Sequence, residues 1–251
     1  DIYNNQTLKN LTGPIAIGHN RYSTAGGQDL KNVQPLTVNF AFGNLALAHN
    51  GNLINAQVLR HELEAYGAIF QSTSDSEVII HLIAHSRADT LLARIIDALS
   101  QVRGAFSVVL LTDDGIIAAR DPHGFRPLSL GRLRDTYLVA SETCAFDLLD
   151  AEIIREIEPG ELVVLNEQGV TSYKPFSAVQ PAMCIFEYVY FARPDSKIFG
   201  ANAVYATRKA LGRQLAEESW VPADVVIPVP TLVSRRHWAI AKGPAFRSKP
   251  A

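Results

Sequence analysis

Apolar positions fall at helical spacing three times in succession after residue 53. Ile54, Val58, Leu59 and Leu63 predict a first helix, with Gly67 placed to end it. Val78, Ile79, Leu82 and Ile83 predict a second, opened by Ser74-Asp75-Ser76-Glu77. That run has the S-x-x-E form of a capping box, in which each end's side chain satisfies the other's free backbone N–H. Leu91, Leu92, Ile95, Ile96 and Leu99 predict a third helix from near Thr90, with Gly104 beyond its end. Ahead of these, Ile15–Ser23 and Leu45–His49 read as short extended runs. The second stops at Asn50-Gly51, a dipeptide that favours a tight turn.

From Ala105 the period becomes strand-like. Ala105–Thr112 turns at Asp113-Asp114-Gly115 into Ile116–Arg120, which predicts an antiparallel hairpin. Pro127–Gly131, Tyr137–Ser141, Glu161–Leu165 and Val170–Tyr173 predict further short strands. Strands joined by tight turns, with helices grouped apart, give an α+β class with mainly antiparallel sheets. After Pro175 the pattern shifts: Asn202–Trp220 reads as an amphipathic helix and Asp224–Pro228 as a buried strand that opens an α/β unit. Thr231–Ala251 shows no period.

Composition narrows the possibilities without naming a function. A chain of 251 residues holds one large domain, or one and part of a second. Its 47% hydrophobic and 19% charged residues are ordinary for a compact soluble protein. A net charge of −2 offers no electrostatic reason to expect nucleic acid or an acidic membrane. No apolar run approaches the roughly 18–20 residues of a membrane span. Asp1-Ile2-Tyr3-Asn4-Asn5 is neither a basic nor an apolar leader and has no methionine, so a processed or truncated start and a cytoplasmic location are expected. Cys144 and Cys184 lie far apart without CxxC spacing, against a disulfide framework or a zinc site. Cys144 falls in an apolar segment, as inert core cysteines do. His49, His81 and His85 read as packing or surface residues.

Three polar clusters could carry chemistry, and each also has an ordinary structural reading. In Gly18–Thr24, Arg21 beside hydroxyls suits a carboxylate, although surface arginines in loops are common. In Ala48–Asn52, the Asn50 amide and the Gly51 N–H could hold an oxyanion, although Asn-Gly is usually just a turn. Asp75 could bind an ammonium group, although an acid in a helix's first turn normally complements the dipole. A carboxylate binder, an oxyanion binder and an ammonium binder together match the polar ends and the amide of glutamine. None of these groups can attack an amide.

Gly18–Gly26, Ala48–Leu53, Thr73–Glu77 and Arg120–Leu128 resemble, in this order, the class II glutamine amidotransferases. The Cys184–Ser196 run is more specific and resembles the linker signature of the amidophosphoribosyltransferase family; Asp224–Pro230 is similar to the first strand of that family's phosphoribosyltransferase domain. The resemblance implies an N-terminal-nucleophile hydrolase-type fold, a four-layer αββα sandwich with antiparallel sheets, followed by the start of an α/β phosphoribosyltransferase domain. It implies residues 1–180 as the amidotransferase domain and 181–230 as linker and domain start, leaving 231–251 as an aberrant tail.

The implied reaction opens de novo purine synthesis. An N-terminal cysteine frees ammonia from glutamine, and the ammonia displaces pyrophosphate from phosphoribosyl pyrophosphate. By resemblance, Arg21 and Thr24 hold the glutamine carboxylate, Asp75 its ammonium, and Asn50 with Gly51 the oxyanion. The family also implies Mg²⁺ on a downstream loop, a homo-oligomer, and in some members an iron–sulfur cluster with Cys184 at the first ligand position; a cluster is not expected in this chain. The chain has no cysteine at its start and departs from the family after Pro230, so it is expected to be incomplete at both ends and inactive as it stands. Another class II amidotransferase, or a non-catalytic glutamine-binding module, remains the alternative.

Overall fold

The computed structural model describes residues 4, 6, 9–20, 29–200 and 202–222. Arg21–Thr24, the expected strand Asp224–Pro228 and the tail 231–251 lie outside the described residues. The chain divides into two compact units: Asp1–Arg126 with Ile157–Pro181, and Pro127–Glu156 with Ala182–Ala251.

The first unit is built on a six-stranded sheet in the order β1-β2-β3-β4-β8-β9. Its strands are β1 (Leu36–Phe40), β2 (Gly43–Leu53), β3 (Gly104–Thr112), β4 (Gly115–Arg120), β8 (Leu162–Asn166) and β9 (Gly169–Tyr173). Every pairing is antiparallel. Three helices cover one face: α1 (Ala56–Ala65), α2 (Glu77–His85) and α3 (Leu91–Gln101). Leu45, Leu47 and Leu53 of β2, with Phe106, Val108 and Leu110 of β3, point to that face, as period-2 alternation requires. They pack with Leu59, Leu63, Ile79, Ile83, Ile95 and Leu99 into one core.

The helices and the hairpin of β3 and β4 match the sequence pattern. Gly67, at φ 91°, follows the end of α1 in the left-handed region that glycine tolerates. Thr90 caps α3 by accepting the Ala93 N–H at 3.2 Å. Ile54 and Val58, expected inward, are exposed at 76% and 60%, because α1 starts at Ala56 and turns Leu59 and Leu63 to the core instead.

Three local expectations are overturned. Asn50-Gly51 is not a turn: β2 runs through both, paired residue for residue with Ser107 and Phe106 of β3. Among the described residues of the first extended run, 15–20, there is no strand. The capping box does not form, since α2 starts at Glu77 and Ser76, at its N-cap position, makes no capping bond. The Glu77 carboxylate instead accepts the Gln71 N–H at 2.7 Å, the Ser72 N–H at 2.7 Å and the Ser72 hydroxyl at 2.6 Å. Burial pushes this carboxyl up, but those three donors outweigh it and hold it below the usual range.

The second unit carries a three-stranded antiparallel sheet in the order β6-β5-β7, from β5 (Ser129–Leu133), β6 (Thr136–Ala140) and β7 (Glu152–Glu156). A short helix α4 (Cys144–Asp147) precedes β7 and places Phe146 against Gly131, where an added Cβ would lie 2.9 Å from the ring. Further on come one π-helical turn (Glu187–Phe191), the paired strands β10 (Lys197–Ile198) and β11 (Asn202–Ala203), and α5 (Val204–Glu218). Buried Arg208 of α5 holds the turn by donating to the Tyr188 and Ala192 carbonyls at 2.5 and 2.8 Å. The Glu142 carboxylate does the same for the next stretch, accepting the Arg193 N–H at 2.7 Å and the Ser196 hydroxyl at 2.6 Å. No helix among the described residues is long and apolar enough to cross a membrane.

Candidate functional site

The candidate site lies along one edge of β2 beyond the end of β1. The last pairing of β1 is Leu36 with Leu47. In an antiparallel ladder the backbone groups of successive residues face opposite neighbours. The Ile54 N–H donates to the Arg103 carbonyl at 2.8 Å, just past the β3 pairing, so even-numbered residues here face β3. His49, Gly51 and Leu53 therefore direct their N–H groups to the other side, where no strand continues among the described residues.

Side chains take over there. Had the ladder run on, Gln34 would lie opposite His49. Pro35 has no N–H to contribute, and the Gln34 side chain accepts the His49 N–H instead, at 2.6 Å. His19 Nε2 bonds the His49 carbonyl at 3.1 Å. Asp75 Oδ2 accepts the Leu53 N–H at 2.8 Å. Between these two anchored positions the Gly51 N–H has no hydrogen-bond partner among the described residues. Neither has the Asn50 carboxamide, which stands half-buried on the face away from the helices. Both residues are half-buried, which leaves these groups within reach of a ligand laid along the edge.

The segment bearing Asp75 is fixed from a distance. Buried Asn32, in the 3₁₀ turn Leu30–Asn32, donates to the Thr73 hydroxyl at 2.9 Å and accepts the Thr73 N–H at 2.9 Å. Gln34 Nε2 donates to the Ser76 hydroxyl at 3.3 Å, and Ser76 Oγ lies 2.9 Å from His49 Nδ1. Asn50, Gly51 and Asp75 are thus gathered at one end of β2. Arg21 and Thr24 lie outside the described residues.

The sequence reading missed Asn32, Gln34 and Ser76, and it took His49 for packing. No local signal marks them, since their partners are 15 to 42 residues away. His49 is buried; burial holds its imidazole below the usual value, and the opposing effect of Asp75 does not offset this. His81 and His85 do pack, against Phe70 and Tyr66 with ring centroids 4.1 and 5.4 Å apart. Cys144 is buried, and burial pushes its thiol up, as for an inert core cysteine. Among the described residues no three His, Cys, Asp or Glu side chains gather as a metal site, and Cys184 has no companion ligands.

The comparisons with known proteins give the family. Residues 19–147 match the model of the glutamine amidotransferase domain family. Amidophosphoribosyltransferase 2 of Arabidopsis thaliana, a chloroplastic protein by name, is 47% identical over 98% of this chain and 44% of its own length. The Bacillus subtilis amidophosphoribosyltransferase is 48% identical over 92% of this chain and 48% of its own. The chain thus spans a little under half the length of these relatives. The solved B. subtilis glutamine phosphoribosylpyrophosphate amidotransferase, in complex with ADP and GMP, superposes with a TM-score of 0.85 at 46% identity, covering 90% of this chain and 49% of that one. With the antiparallel sheets and grouped helices, this likeness gives the N-terminal-nucleophile hydrolase type of α+β fold that the resemblance implied.

Proposed function

The chain belongs to the glutamine amidotransferase domain family, and from that premise we propose that it is the glutamine-handling part of an amidophosphoribosyltransferase. The observation that carries the reading is the open edge of β2. There the Gly51 N–H and the Asn50 carboxamide have no partner among the described residues, beside the Asp75 carboxylate at Leu53. A glutamine laid along this edge places its ammonium at Asp75 and its side-chain amide at Asn50 and Gly51, with Arg21 and Thr24 taking the carboxylate. Attack on the amide carbon would put negative charge on its oxygen, which the two donors stabilise. Fixed donors of this kind are each worth roughly 10²–10³ in rate.

Cys144 and Cys184 are the only cysteines in this sequence, and neither is proposed as nucleophile. The ammonia-accepting reaction on phosphoribosyl pyrophosphate, and the homo-oligomer, belong to the proposal for the whole protein. Residues 1–180 are assigned to glutamine and 181–230 to the link and the start of the second domain. Among the described residues no three His, Cys, Asp or Glu gather, and neither an iron–sulfur cluster nor a Mg²⁺ site is proposed on them. A cytoplasmic location belongs to the same proposal, with the chloroplast named for the plant relatives as the alternative.

Calorimetric titration of the purified chain with L-glutamine tests the reading. Saturable binding is expected, weakened about tenfold by Asn50→Ala and by Asp75→Asn, the size of one lost hydrogen bond. A chain with native circular dichroism that takes up no glutamine at millimolar concentration would refute it.

A further inference from the structure

His49 lies between the two polar ends of the proposed glutamine site, packed against one and linked to the other through Ser76. Its Nε2 faces the Ala105 carbonyl at 3.3 Å. A carbonyl can only accept, so Nε2 carries the proton, and in a neutral ring Nδ1 must then accept. The Ser76 hydroxyl, 2.9 Å away, donates to it in preference to the more distant Asp75 Oδ1 at 3.4 Å, and receives the Gln34 amide in turn. The ring also abuts the residue with the open donor. A Cβ on Gly51 would stand 2.6 Å from His49 Nε2 and 2.0 Å from the Ala105 carbonyl. Only glycine permits this approach, so ring, carbonyl and Gly51 backbone share one packing contact.

The contacts close a loop. From Gly51 it passes through the His49 ring to Ser76 and to its neighbour Asp75, then returns through the Leu53 N–H, two residues beyond Gly51. We propose that His49 and Ser76 are positioning residues of the glutamine site, whose mutual hydrogen bond holds the Gly51 N–H and the Asp75 carboxylate at one fixed separation. The inference rests on the reading of the site given above and adds a consequence for specificity. A fixed span between the amide binder and the ammonium binder measures side-chain length, so asparagine, one methylene shorter, cannot reach both. Loosening the span costs glutamine affinity and discrimination together. A merely structural role would lower the fraction folded and leave the ratio of the two ligands unchanged.

The test uses the whole chain with Ser76→Ala and Ser76→Thr, read by nitrogen-detected NMR of His49, by backbone amide resonances, and by titration with L-glutamine and L-asparagine. The wild-type ring is expected as the Nε2–H tautomer. Ser76→Ala should shift the Gly51 and Asp75 amides together, weaken glutamine about tenfold and narrow its margin over asparagine; Ser76→Thr, which keeps the hydroxyl, should restore all three. If Ser76→Ala fails to fold, Ser76→Cys, with a weaker donor in the same place, should show the same changes at smaller size. A ring protonated at Nδ1 only, or Gly51 and Asp75 amides unmoved by loss of the hydroxyl, would overturn the inference. A wild-type chain that binds no glutamine, yet shows the paired shifts, would sink the glutamine reading and leave the coupling standing.

Discussion

The β2 edge at Ala48–Leu53 and the loop Arg120–Arg126 are both dense in polar residues, and both lie in motifs shared with amidotransferases. They use that polarity in opposite ways. Arg120 is buried and spends its guanidinium on three carbonyls: Arg126 at 2.7 Å, Ile157 at 2.6 Å and Gly124 at 3.0 Å. Asp121, fully buried, accepts the N–H groups of His123 at 3.0 Å, Phe125 at 3.1 Å and Phe106 at 3.3 Å. Burial pushes the Asp121 carboxyl up more than these donors pull it down. This loop ties chain to chain. On the β2 edge the described groups anchor His49 and Leu53, and the donors between them have no partner among the described residues. A strong motif can therefore be architecture, and the chemistry is proposed where the described residues leave hydrogen bonding incomplete.

The largest effect should come from the closed side of this comparison. Arg120→Ala leaves the buried Ile157 and Gly124 carbonyls without a donor, while Ser107 still reaches the Arg126 carbonyl at 3.3 Å, and should cost about 3–5 kcal/mol of unfolding free energy, read by urea denaturation. The fraction still folded should bind glutamine with unchanged affinity. A cost below about 1 kcal/mol would show that water replaces the guanidinium readily.

Gly51→Ala tests the open edge by crowding it. The added methyl meets the Ala105 carbonyl and the His49 ring, and overpacking of this kind costs roughly 1–3 kcal/mol. A thermal midpoint equal to wild type would remove the close approach on which the site's geometry depends. Asn50→Ala separates function from stability. Its side chain has no partner among the described residues, so stability should stay within about 0.5 kcal/mol while glutamine affinity falls about tenfold. Equal losses in both would place Asn50 with Arg120, as architecture.

The smallest effect is a pH dependence. His49 is flanked by Asp75, His19 and Arg126, and burial keeps its folded-state value below that of the unfolded chain. The unfolded state therefore binds the proton more readily, so His49 contributes stability above about pH 6.5 that is lost as pH falls from there toward the folded value. His49→Gln should flatten this part of the stability curve. An unchanged slope would show that other groups set it.

The amino-acid sequence by itself determined the elements whose evidence is local. The helices α2 and α3 follow from apolar spacing, and the hairpin of β3 and β4 from an apolar run broken at Asp113-Asp114-Gly115. It also marked Asn50, Gly51 and Asp75, because a few polar residue types at short spacing match the ends of one small ligand. Tertiary structure decided what those residues face. Asn50-Gly51 has the local preference of a turn, yet pairing with β3 along the whole of β2 outweighs it and draws the dipeptide into a strand. Ser74–Glu77 has the form of a capping box, yet Gln71 and Ser72 claim the glutamate and His49 claims Ser76. Asn32, Gln34 and His49 gave no signal, because their partners arrive only when β1 ends two residues short of His49 and side chains must complete the edge. Hydrogen bonds within a turn of helix are written in adjacent residues; those that finish a strand edge depend on register, which only the assembled sheet defines.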